Sequence, residues 1–235
     1  MTSSPRSSSV GRSYRLGVAL ALPVFLILTN VRLLLTPLFV SFEYASPGFP
    51  ADRYGFSQAE RLQWADVALE YLLNDAGPEF LAELASADGT ALYNEGELGH
   101  MVDVKRLVQT ALAVWVAATF LLALMLVGAH RDGGWRAVRS GLHLGSRITL
   151  ILMATLVGLL VISFSTLFVG FHRVFFQEGT WVFYYSDTLI RLFPIRFWQI
   201  AFATLLLLTC AEAALILLLT RNSRGKSGMS SSPHP

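Results

Sequence analysis

Two histidines are the residues of this 235-residue chain best suited to chemistry: His100 in "LGHMVDVKR" and His172 in "GFHRVFFQEGTW". Each stands just outside a long apolar run, one before it and one after it. An imidazole exchanges a proton near neutral pH, so two of them at one place can serve as acid and base. Asp103 follows His100 by three residues and shares its helix face. A carboxylate there either holds the ring in one tautomer or is simply a second solvated polar group. Arg173, beside His172, either snorkels to phosphates or touches substrate. A zinc site made from His100, His172 and Asp103 or Asp187 would need ligands from separate segments, with no close-spaced motif to support it. No metal or other cofactor is therefore expected. The one cysteine, Cys210, lies within an apolar run. That excludes an internal disulfide and a CxxC motif, and it makes the thiol a poor nucleophile.

The elements that must position these side chains are membrane helices. The chain is 54% hydrophobic and 14% charged, with a mean hydropathy of +0.53. Four runs are long enough to cross a bilayer: Leu16–Val40, Leu107–Ala129, Ile148–Val169 and Phe197–Thr220. The N-terminal tail, the loop between the second and third runs and the C-terminal tail carry ten basic residues against one acid, Asp132. Between Ser41 and Lys105 the balance reverses, with twelve acids and three basic residues. By the positive-inside rule both termini are cytoplasmic. The expectation is an all-α membrane protein with four transmembrane helices and a small helical extracytoplasmic cap between the first two. Residues 1–15 and 221–235 read as disordered cytoplasmic tails around a membrane domain, 16–220. Its insert (41–106) and its link (170–196) face outward.

The cap has helix signals of its own. Ser57 with Glu60 forms a capping box ahead of "LQWADVALEYLL", and Gly77-Pro78 ends that run. A second short helix is expected over Glu79–Ser86, with a turn at Asp88-Gly89. Asn94 and Glu97 form another capping signature, so a helix starts near Glu95 and runs on into the second span. On that helix His100 stands about 10 Å above Leu107. His172, three residues beyond Val169, is at nearly the same level, where lipid ester carbonyls lie.

Polar groups inside the spans are rare and informative. Arg32 in "LTNVRLLL" can reach a lipid carbonyl or phosphate, or Glu43. Glu212 in the last span reads as a proton-bearing or paired group. Trp181, Phe183, Tyr184, Tyr185 and Trp198 form an interfacial belt. Ser186 or Asp187 is placed to cap a short surface helix, and Pro194 suits the first turn of the last span.

"HMVDV" before span two, "FHRVFF" after span three, the following Trp and "DTLIRLFPIRFW" leading into span four, with "NVR" in span one, resemble the bacterial lipoprotein intramolecular transacylase family. The resemblance covers most of the chain and rests on the combination and order of these short motifs. It implies an acyltransferase of the bacterial cell membrane whose partners are diacylated lipoproteins and membrane lipid. Such an enzyme moves the sn-2 acyl chain of a diacylglyceryl-cysteine to that cysteine's α-amine, leaving a lyso-form lipoprotein. It also implies that His100 and His172 are catalytic, one as base and one as donor, on the extracytoplasmic side. Phe171, Phe175 and Phe176 would line the path of the acyl chains. Arg32, Asp103, Arg173, Trp181 and Asp187 are the other candidate substrate contacts. An exchange of ester for amide runs downhill, and the chain has no P-loop. Neither nucleotide nor nucleic acid is expected as a partner. The rival reading is a non-catalytic lipid-binding or scaffold protein whose histidines are ordinary interface residues.

Overall fold

A computed structural model of the chain describes residues 5–86 and 88–221. Every regular element among them is helical, apart from one isolated bridge between Ala85 and Ala91. The helices are α1 (Pro5–Leu34), α2 (Pro37–Ala45), α3 (Gln58–Leu73), α4 (Glu79–Ala82), α5 (Glu95–Asp132), α6 (Trp135–Ile162), α7 (Phe164–Phe175), α8 (Thr188–Leu192) and α9 (Ile195–Thr220). Four of them, α1, α5, α6 and α9, are long and apolar enough to cross a membrane.

The spans pack around α1, which touches α5, α6 and α9, while α6 also lies along α9. Small residues set the α1–α6 approach. A Cβ on Gly141 would come within 2.7 Å of the Arg15 carbonyl oxygen, and one on Gly145 within 3.1 Å of the Ala19 carbonyl oxygen. This is the small-xxx-small packing by which membrane helices bring their backbones together. A polar seam ties α1 to its other neighbours. Asn30 Nδ2 donates to Thr209 Oγ1 (3.1 Å) and Glu212 Oε2 (2.8 Å), and Trp115 Nε1 donates to Thr29 Oγ1 (3.0 Å). Glu212 is thus a paired group.

Four boundaries differ from the sequence expectation. Residues 5–15, expected as disordered tail, extend α1, because the Tyr14 ring packs against Ala129 and Val138 and its hydroxyl donates to Asp132 (2.7 Å). Residues 1–4 and 222–235 of the expected tails lie outside the described residues. The first run breaks at Leu35–Thr36, where Thr36 caps α2 and Pro37 takes its first position. Proline there cannot donate to the preceding turn and disfavours helix in the residue before it. The third run breaks at Ser163, which has extended backbone (φ −162°, ψ 103°) and accepts from Thr166 N to start α7. Finally, the helix expected over Glu79–Ser86 stops at Ala82, since the chain turns back at Ser86–Thr90 to pair Ala85 with Ala91.

Both capping boxes form. Ser57 Oγ accepts from Glu60 N (3.2 Å) while Ser57 N donates to Glu60 Oε2 (2.7 Å). At the head of α5, Asn94 and Glu97 exchange the same two bonds at 3.0 and 2.9 Å. Helix α5 has 38 residues. That is about 57 Å at 1.5 Å per residue, longer than a hydrocarbon layer of about 30 Å. Its first turns therefore project beyond the apolar run, next to α3 and α8.

Those projecting turns are held by buried polar contacts. The free carboxylate oxygen of Glu97 accepts from Leu189 N (2.7 Å), and Thr188 Oγ1 donates to the Leu92 carbonyl. Together they lock α8 onto the head of α5. Tyr44 OH donates to Leu192 O (2.6 Å), and Arg61 Nε donates to Arg191 O (2.8 Å). Arg191 itself pairs with Asp52 at 2.9 Å, both side chains being largely buried.

Candidate active site

His100 reaches the site from the second turn of α5, and His172 from the last turn of α7. Their rings lie 6.1 Å apart between centroids and 20° from parallel. Both residues are buried, with 8% and 9% of their surface exposed. Around them is an aromatic shell. Phe176 sits 4.9 Å from His100 and 5.4 Å from His172, Trp181 4.9 Å from His172, Phe168 4.2 Å from His172 and Phe183 5.5 Å from His100.

Helical geometry sets the state of His172. Its Nδ1 is 2.8 Å from the Phe168 carbonyl oxygen, one turn back. A carbonyl can only accept, so Nδ1 carries the proton and Nε2 keeps its lone pair. Burial pushes the His172 pKa below its ordinary value, against the raising effect of that carbonyl. The neutral ring with a free Nε2 is the form a general base needs. Two other nitrogens at the site are buried without a hydrogen-bond partner among the described residues, His100 Nδ1 and Trp181 Nε1. Unpartnered buried donors or acceptors are uncommon, and these two keep hydrogen-bonding capacity for a ligand or a water.

The remaining candidates divide. Phe176 and Trp181 belong to the shell, and Phe171 packs against the edge of His172 at 5.6 Å. Phe175 stacks on Phe171 but is 51% exposed, turned outward. Arg173 is exposed too and lies 4.0 Å from Glu178. Asp103 does not bond to His100; it pairs with Arg106 at 3.2 Å. A full positive charge one turn away attracts the carboxylate more strongly than a neutral imidazole does. Asp187 stands at the start of α8, where its carboxylate accepts from Tyr184 N (2.9 Å). Arg32 bonds at the end of its own helix. Its guanidinium donates to Leu35 O (3.0 Å), one of the carbonyls left open by the break before Pro37. Glu43, its other expected partner, is fully buried and lies 3.9 Å from Arg196 instead. No group of three His, Cys, Asp or Glu side chains placed to hold a metal ion occurs among the described residues.

Sequence reasoning missed Phe168, placed Phe183 only in the interfacial belt and read Glu97 only as a cap. Phe168 precedes His172 by four residues, a spacing that puts its carbonyl under the ring. The tie from Glu97 to Leu189 has no local signal.

A cleft of about 880 Å³ opens beside His100, between the first turns of α5 and residues 179–187. Its wall carries the charged side chains Glu95, Asp103, Arg106 and Asp187 among apolar ones, in contrast with the wholly aromatic surroundings of His172.

The sequence model of the family described as lipoprotein intramolecular transacylase Lit matches residues 16–198. An uncharacterized protein of Aquifex aeolicus (strain VF5) is 32% identical over 177 residues, 72% of this chain and 75% of its own. Two solved structures of the membrane integral lipoprotein intramolecular transacylase Lit from Bacillus cereus share the fold. One, of a single-residue variant, has a TM-score of 0.67 at 19% identity, covering 92% of this chain and 94% of that one. The other has a TM-score of 0.58 at 20% identity, covering 91% of each chain. With the family sequence pattern running from the first span to the start of the last, this chain is a multi-pass membrane acyltransferase that belongs to the lipoprotein intramolecular transacylase Lit family.

Proposed function

We propose that the chain moves the sn-2 acyl group of a diacylglyceryl-cysteine lipoprotein to the α-amine of the same cysteine, with His172 as general base and His100 as hydrogen-bond donor. The α-nitrogen attacks the ester carbonyl carbon, and His172 Nε2 takes the proton it sheds. The carbonyl oxygen turns negative in the tetrahedral intermediate and needs donors aimed at it. His100 and the Trp181 indole N–H fill that role. When the C–O bond breaks, the proton passes to the departing sn-2 oxygen, which leaves as a hydroxyl. One C–N bond forms and one C–O bond breaks, with no outside reactant.

The observation that carries this reading is the imidazole pair itself: 6.1 Å between rings, with one ring's proton committed to a backbone carbonyl. The nucleophile suits a histidine base. An α-amine has a reference pKa of about 7.7–8.0, so part of it is already neutral near pH 7. Donor and acceptor belong to one molecule, and the protein's task is to hold a flexible head group in a reactive fold. The excess of basic residues at both ends and on the facing ends of α5 and α6 supports cytoplasmic termini, with the histidines opposite, at the outer leaflet.

The test is expression of the chain in a bacterium that makes only diacyl, free-amine lipoproteins, followed by mass spectrometry of their N-terminal lipopeptides. The expected product has unchanged total mass, with one acyl chain moved to the amine. Unaltered lipopeptides at good expression would refute the assignment.

A further inference from the structure

The cleft beside His100 is left over once acyl transfer has been given to the imidazole pair. Its wall holds three carboxylates, Glu95, Asp103 and Asp187, and one guanidinium, Arg106, which is tied to Asp103. Its surface also holds three residues without side chains. Added Cβ atoms on Gly99 and Gly179 would meet nothing within 4 Å, and Gly96 has only Asn94 and Phe183 nearby. Bare backbone along one wall leaves room for another backbone to come close. His100 stands in this wall, 8% exposed, with Nδ1 buried and unpartnered.

The two sides of the histidine pair therefore differ in chemistry. Phe168, Phe171 and Trp181 make the His172 side apolar, while the His100 side carries charged side chains that are on balance acidic. A lipidated N-terminal cysteine has the same polarity built in, with hydrocarbon leaving from its sulfur and a polypeptide leaving from its carbonyl. We propose that the cleft is the acceptor-peptide subsite, which takes the first residues after the lipidated cysteine in extended form and disfavours acidic side chains among them. The inference rests on the transacylase reading above. A volume of about 880 Å³ falls within the roughly 300–1,000 Å³ of ordinary ligand sites. It suits a few residues of extended chain at about 3.3 Å each. Like-charge contacts across a partly enclosed wall raise the cost of an acidic peptide more than they would in open water.

The experiment uses the full chain in vesicles of zwitterionic lipid and three fluorescent probes: diacylglyceryl-cysteine amide without a peptide, the same head on a Ser-Ser-Asn peptide, and the same head on an Asp-Asp-Glu peptide. Dissociation constants and turnover are both measured. The acidic lipopeptide is expected to bind on the order of tenfold more weakly than the neutral one. Combining Glu95→Gln with Asp103→Asn is expected to bring the two within roughly twofold. Gly99→Leu, where a side chain meets open space, is expected to weaken both lipopeptides and spare the peptide-free head. Equal affinities for the two lipopeptides in the unaltered chain, or a Gly99→Leu loss shared equally by all three probes, overturns the subsite. If discrimination in binding is present without any transfer of acyl chain, the subsite stands and the transacylase reading falls.

Discussion

His100 and His172 face each other at 6.1 Å although they come from different helices, one leading into a span and the other following one. Only His172 has its proton assigned by the protein, through the Phe168 carbonyl. Under the proposed reaction that asymmetry makes His172 the base and leaves His100 as the donor.

Replacing either histidine should stop chemistry without unfolding the bundle. His172→Ala and His100→Ala are each expected to lower kcat by about 10²–10⁴-fold. The double variant should lie within roughly tenfold of the worse single, because the two act as a unit. Rates from lipopeptide mass spectrometry, with thermal unfolding in detergent as the folding control, decide it. Losses that multiply would contradict a shared step.

The pH profile reports on His172. Burial holds its pKa below the ordinary value of about 6.5, and it acts only when neutral, so its contribution is lost as pH falls through that lowered value. The substrate amine loses activity earlier, as pH falls below about 8. Initial rates plotted as log rate against pH should therefore drop with unit slope from near the amine pKa and steepen to a slope of two only below about 6.5. Steepening at higher pH would mean that the base is some other group.

Trp181 offers a test of the donors. Trp181→Phe keeps an aromatic ring beside His172 and removes the one indole N–H at the site that has no partner among the described residues. The expected result is a kcat lower by about tenfold to a hundredfold, with KM within roughly twofold. An unchanged kcat with a raised KM would make Trp181 a packing residue only.

The α1–α6 seam is a matter of stability. At Gly141 a side chain would meet the Arg15 carbonyl and Val18, whereas at Gly158 it meets nothing within 4 Å. Gly141→Leu should destabilise the bundle by about 1–3 kcal/mol, as overpacking does elsewhere. Gly158→Leu should leave it unchanged. Denaturant unfolding of the two variants side by side gives the comparison.

What the sequence made legible was local. The two capping boxes, Ser57 with Glu60 and Asn94 with Glu97, are short-range bonds written in adjacent residues, and the structure contains both. The level of His100 and His172 against the apolar runs could be counted along the chain. What stayed hidden depends on distant partners. Tyr14 extends α1 because Asp132 is across from it, which no feature of residues 5–15 announces. Asp103 had two neighbours at helical spacing, His100 and Arg106, and the charged one won. Nothing local to Arg32 announced that its guanidinium would donate to Leu35 O, a carbonyl left open by the break before Pro37. That break and the one at Ser163 lie inside apolar runs whose hydropathy reads as continuous.

The joint at Ser163 sets how the site copes with its surroundings. His100 rides on a single rod from Glu95 to Asp132, while His172 sits on a separate twelve-residue piece with its own cap. When a thinner or thicker bilayer tilts the long rods, the joint absorbs the change in angle before it reaches the short piece. His100, carried by a rod, shifts with that tilt while His172 is spared it, so the gap between the rings follows lipid length. Vesicles of short-chain and long-chain lipid should therefore support different rates.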